Sequence, residues 1–191
     1  FGPRGAVVRP RAGGPAFELG LGLAAYWRVG GKLTRAAPVA PVEGACVPSG
    51  AVDEAGACLR RLEYPRGDVT EWWSNDAGGL EHGFVVALAP LGRGALVLDL
   101  AVTGLTAAVE DDGAVILAGG DARLRYAGLV ATDAAGRALP ARFVRRAKGV
   151  RIAVDVEGAA WPVLVDPVLA LESWTAESDQ ASAKFGYSVA S

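Results

Sequence analysis

Phe17-Glu-Leu-Gly-Leu-Gly-Leu-Ala-Ala-Tyr-Trp27 is the stretch that decides the fold. Alternate residues Phe17, Leu19, Leu21, Leu23, Ala25 and Trp27 fall on one face, with Glu18, Gly20, Gly22, Ala24 and Tyr26 on the other. A period of two is the signature of a half-buried strand, because successive side chains of an extended chain point to opposite sides. The same alternation returns at Leu96, Leu98, Leu100 and Val102 around Val97, Asp99 and Ala101, and at Val150, Ile152, Val154 and Val156 around Arg151, Ala153 and Asp155. Each of these reads as a sheet strand with one wet face, and no segment shows a helical period.

Between such stretches stand Gly30-Gly31, Asp111-Asp112-Gly113, Gly119-Gly120-Asp121, Ala135-Gly136, Lys148-Gly149 and Glu157-Gly158. Each supplies a residue that tolerates the backbone of a tight reversal. Strands joined by closely spaced glycine turns predict an all-β chain: a two-sheet antiparallel, sandwich-like domain built from successive hairpins over residues 1–170. In Ala160-Trp-Pro-Val-Leu-Val-Asp-Pro-Val-Leu169, Pro162 suits a strand start and Pro167 is expected to stop the strand after Asp166.

With 191 residues, 51% of them hydrophobic, the chain can bury a substantial core. A net charge of -2 argues against a nucleic-acid partner. The apolar runs are too short and too interrupted for a membrane helix, so no membrane insertion is expected. A chain that starts at Phe1 and contains no Met reads as a piece of something longer.

Residues with chemistry to offer are few. Cys46 and Cys58 flank an aperiodic, turn-rich stretch; they either close it as a disulfide in an oxidising compartment or stand as separate thiols. The one histidine, His82, adjoins Glu81, but neighbours in a strand point to opposite faces and cannot form a dyad. A histidine on a strand edge bonded to backbone is the plainer expectation. Glu63, Glu71, Asp99, Asp155 and Asp166 include no pair selected by spacing for glycoside hydrolysis, and Asp99 and Asp155 read as solvent-facing. Glu110-Asp-Asp-Gly113 reads as a hairpin turn, since it lacks the further oxygen ligands of a calcium loop. In Glu71-Trp-Trp-Ser-Asn75, one tryptophan can anchor the core while the other packs or lies open beside Asn75 for stacking on a sugar. Trp72, Trp73 and Asn75 are therefore the candidate binding residues, with no catalytic or metal residue assigned.

Phe185-Gly-Tyr-Ser-Val-Ala-Ser191 resembles the start of an FG-GAP repeat, the blade unit of integrin-α-like β-propellers. Glu71-Trp-Trp-Ser-Asn75, Gly79-Leu-Glu-His-Gly-Phe84, Leu124-Arg-Tyr-Ala-Gly128 and Trp161-Pro-Val-Leu-Val-Asp-Pro167 resemble a β-rich module that precedes such repeats in large secreted proteins of myxobacteria and related bacteria. The resemblance implies a secreted or cell-surface bacterial protein, with residues 171–191 a linker and the opening of a repeat in which Phe185 and Gly186 are the matching positions. It also implies calcium only in downstream repeats and no cofactor here. The expected function is a non-catalytic structural or binding module, for adhesion to a glycan or surface protein or for docking an adjacent propeller. Two alternatives stand beside it: a glycan- or peptide-active hydrolase using Glu71, Glu81, His82 and Asp99, and a spacer that caps the propeller.

Overall fold

The computed structural model describes residues 1–10, 16–46, 50, 52, 56–76 and 79–171, without the side chains of 75, 76, 79 and 171. Fourteen strands follow one another in chain order, and no helix occurs among the described residues. They are β1 (Ala6–Val8), β2 (Leu19–Arg28), β3 (Thr34–Arg35), β4 (Val42–Cys46), β5 (Arg60–Arg66), β6 (Val69–Asp76), β7 (Gly79–Val86), β8 (Leu96–Thr103), β9 (Thr106–Val109), β10 (Val115–Gly119), β11 (Ala122–Thr132), β12 (Ala141–Arg145), β13 (Val150–Val154) and β14 (Val163–Leu171). One sheet runs β1-β2-β8-β13-β12, with β3 also on β2; the other runs β4-β5-β6-β7-β14-β11-β10-β9. All strand pairings among the described residues are antiparallel, and the inner faces of the two sheets share one apolar core of the sandwich kind.

β2 departs from simple alternation. Its pairing with β8 shifts between Leu23 and Ala25, so one extra residue is accommodated there. A bulge of this kind reverses the facing of everything beyond it. Leu19, Leu21 and Leu23 point inward as the alternation predicts, but past the bulge Tyr26 joins the core, 4% exposed. Trp27 instead turns to the outer face, where the guanidinium of Arg151 lies 4.9 Å from its ring centre. The one-face grouping that placed Trp27 with the leucines is thus corrected by the bulge.

β14 corrects a second expectation. It continues through Pro167 to Leu171 rather than ending at Asp166. Proline lacks the N–H that a central strand uses on its neighbours, so it needs a break in the ladder. The partner supplies one: the β11–β14 register shifts between Ala127 and Val130, and Gly128 there takes φ +65°. β14 consequently lies between β7 and β11 and joins the two runs of hairpins into one sheet. Pro162 stands immediately ahead of the strand, as expected. The tail carrying Phe185 and Gly186 lies outside the described residues.

Asp99 is also not solvent-facing in the sense expected. It sits on the outer face of β8 yet is only 4% exposed, because Arg151 holds it at 2.6 and 3.1 Å and Arg146 at 2.9 Å. Glu110 to Ala114 forms the expected turn between β9 and β10, with Gly113 N–H donating to Glu110 O and Ala114 N–H to Asp112 Oδ1.

Candidate functional site

The β6–β7 hairpin concentrates the residues singled out by chemistry. Its register sets Trp73 opposite His82, Glu71 opposite Phe84 and Trp72 opposite Gly83. On the inner face Glu71, Trp73, His82 and Phe84 therefore share one neighbourhood, and Glu71 and His82 meet diagonally across the pair. Both are 0% exposed. His82 lies in the middle of a paired strand bonded to side chains, not on a strand edge bonded to backbone.

Three donors converge on the Glu71 carboxylate. Oε1 accepts from Leu23 N–H at 2.9 Å and meets His82 Nε2 at 3.0 Å, while Oε2 accepts from Arg66 Nε at 2.8 Å. Leu23 is available because β1 pairs with β2 only as far as Leu21, and β3 begins at Ala25. The carboxylate thus fills a gap along that edge of β2. Since the carboxylate accepts, His82 Nε2 carries the hydrogen, and Nδ1 is left to accept from Tyr126 OH at 2.9 Å. Trp73 stacks on the imidazole at 3.7 Å and 9°, which seals its inner side.

Arg66 extends the network across the sandwich. Its Nη1 donates to Pro3 O and Ala37 O, the latter in the crossing from β3 to β4. Tyr64 OH donates to Gly5 O at 3.1 Å. One buried cluster therefore ties together the N-terminal arm, β2, the inter-sheet crossing and four strands of the larger sheet, β5, β6, β7 and β11. Burial pushes the His82 pKa down against the opposing hydrogen bond and charge of Glu71, so the ring is neutral. Tyr126 is pushed well up, by burial first and then by the negative charges of Glu71 and Asp166, and Tyr64 is pushed up to about 12 for the first of these reasons.

The outer face of the same hairpin carries a different set. Trp72 lies flat over Gly83, so close that a Cβ there would stand 2.1 Å from the indole, and Arg61 lies 4.9 Å from its ring centre. Ser74 Oγ donates to Glu81 Oε2 at 2.7 Å. Asp166, on the outer face of β14, has its pKa pushed up to about 6, by desolvation first and then by Glu81, with Arg61 opposing. Trp72 Nε1 and Asp166 Oδ1 are buried and have no hydrogen-bond partner.

The structure brings together only part of what the sequence proposed. Glu71 and His82 meet, whereas Glu81 faces the other side of the sheet and Asp99 belongs to the other sheet. Trp72 and Trp73 do face opposite sides, but both pack, at 0% and 1% exposed, so the open-platform alternative is not the arrangement seen. Asn75 pairs through its backbone with Leu80, and its side chain lies outside the described residues. Cys46 and Cys58 are joined by a disulfide. The residues that sequence reasoning missed are Arg66 and Tyr126. Arg66 had a signal, an arginine at an inward position two residues after Tyr64, whereas Tyr126 comes from a strand remote in sequence.

A cleft of about 280 Å³ opens on the β10–β11–β12 side, lined among others by Asp112, Arg125, Leu129, Arg142 and Phe143. It contains none of the sequence-predicted site residues. Among the described residues there is no group of three or more His, Cys, Asp or Glu placed to hold a metal ion. No family model matches the chain, and neither a curated protein nor a solved structure matches it.

Proposed function

We propose that residues 1–170 form a non-catalytic extracellular structural or binding module, placed ahead of a propeller of FG-GAP repeats. The observation that carries the reading is the state of the Glu71–His82 pair. Among the described residues these two are the histidine and the carboxylate that the fold brings into contact, and they are closed to water, with their donors and acceptors occupied by Leu23, Arg66 and Tyr126. A general base must reach the proton it removes. A neutral imidazole under a stacked indole, held between a carboxylate and a phenol, instead fixes the relative placement of two sheets. The Cys46–Cys58 disulfide supports an oxidising, extracellular setting.

The experiment is a turnover screen of the purified chain on chromogenic glycosides, esters and peptides, with Glu71→Gln and His82→Gln compared by thermal unfolding. The reading expects no turnover and lowered midpoints. Turnover abolished in Glu71→Gln at an unchanged midpoint would overturn it.

A further inference from the structure

One end of the sandwich presents apolar side chains to water on two tightly held loops. The β2–β3 turn carries Val29 and Leu33, 52% and 44% exposed, and the β7–β8 connection carries Leu88 and Leu91, 64% and 84% exposed. These are not side chains of a loose segment. Val29 N–H donates to Ala95 O, Arg93 and Gly94 N–H donate to Val29 O, and Arg28 Nε donates to Gly94 O. The backbones touch: a Cβ on Gly31 would stand 1.7 Å from Leu91 O. The Leu91 backbone is therefore packed against the β2–β3 turn while its side chain stands in water.

The charge pattern of the same loops is one-sided. Segments 29–35 and 87–95 contain Lys32, Arg35 and Arg93 and no Asp or Glu. All three cations are exposed, and among the described residues none makes a hydrogen bond or ion pair through its side chain. Asp68 borders the second segment, its carbonyl accepting from Ala87 N–H.

We propose that this end docks peripherally on an anionic lipid surface, with Leu91, Leu88, Val29 and Leu33 entering the headgroup boundary and Lys32, Arg35 and Arg93 meeting the lipid charge. Exposed apolar side chains interspersed with cations in the same two segments match the interfacial pattern of amphipathic membrane binders. A protein partner fits less well, because Lys32 stands between Val29 and Leu33. Lysine is depleted from protein interfaces but favoured at a lipid boundary, where its stem lies along apolar groups and its ammonium reaches the charge. No helix of the described residues is long and apolar enough to cross a membrane, and docking of this kind needs none. The inference deepens the binding-module reading and rests on it.

The test is co-sedimentation of the chain with vesicles of phosphatidylcholine, with and without phosphatidylglycerol, over a series of salt concentrations. Binding is expected only with the anionic lipid and is expected to weaken as salt rises. Leu91→Asp and the pair Lys32→Glu with Arg93→Glu should each weaken it by about tenfold or more, at unchanged unfolding midpoints. No binding to anionic vesicles at low salt, or equal binding by the variants, overturns the proposal. So does self-association that Leu91→Asp abolishes in a protein that ignores vesicles, which would make a second copy the occupant. None of these results touches the turnover screen, so the docking surface and the non-catalytic reading fail separately.

Discussion

Replacing Glu71 with alanine is the sharpest perturbation of this fold. The substitution removes the acceptor for Leu23 N–H, Arg66 Nε and His82 Nε2 at once, in a place without access to water. Arg66 is the decisive loss, because its side chain is 1% exposed and its Nη2 already has no partner. Removing one member of a buried ion pair costs about 3–5 kcal/mol, through the charge left behind. For a chain of this size that corresponds to a fall in Tm on the order of 10 °C. Urea unfolding followed by tryptophan fluorescence measures it, since Trp73 stacks on the same imidazole. The double variant Glu71→Leu with Arg66→Leu should recover much of the loss, because it leaves no unpaired charge. A single-variant cost below about 1 kcal/mol, in the range of an exposed ion pair, would refute the reasoning. So would a double variant as unstable as the sum of the two singles.

Three further outcomes follow from other parts of the molecule. Gly83→Ala should destabilise by about 2–3 kcal/mol in urea unfolding, because the new methyl would stand 2.1 Å from the Trp72 indole; a neutral result would mean that the ring is free to move. Cys46→Ser with Cys58→Ser should cost about 3 kcal/mol by release of the 12-residue separation, and thiol titration of unreduced protein should find no free cysteine. Acid stability should depend on two opposed groups. His82 has its folded pKa below its ordinary 6.5, so its contribution is whole above that value and is lost as pH falls beneath it. Asp166 has its folded pKa raised from 3.8 to about 6, so its ionised form weighs against folding above about 6 and that weight lifts as pH falls toward 3.8. Asp166→Asn should therefore stabilise the chain at pH 8 by about 1 kcal/mol, a figure reduced for its partial exposure, and should steepen the loss on acidification. Identical pH profiles for the two proteins would count against this account.

The amino-acid sequence by itself determined the class of fold. Alternation in residues 96–102 and 150–156, with glycine at the reversals, suffices for hairpins, because both signals are local consequences of backbone geometry. The facing of Trp72 against Trp73 and the turn at Glu110 to Gly113 were legible for the same reason. What alternation could not carry was any change of phase: a bulge beside Ala24 moved Tyr26 inward and Trp27 outward, and a bulge in β11 let β14 run through Pro167. Part of the buried cluster was within reach of the sequence, since counting outward from the Asp76–Gly79 pair places Trp73 against His82. The rest was not. Leu23, Arg66 and Tyr126 reach Glu71 and His82 from three other strands, over separations of 48, 5 and 44 residues: Arg66 and Tyr126 through the strand order of the larger sheet, Leu23 through the closing of the smaller sheet over it. Burial completed what proximity began: inside the sandwich the glutamate, histidine and tyrosine are closed to water, and the hydrogen bond from Leu23 N–H to Glu71 joins the smaller sheet to the larger.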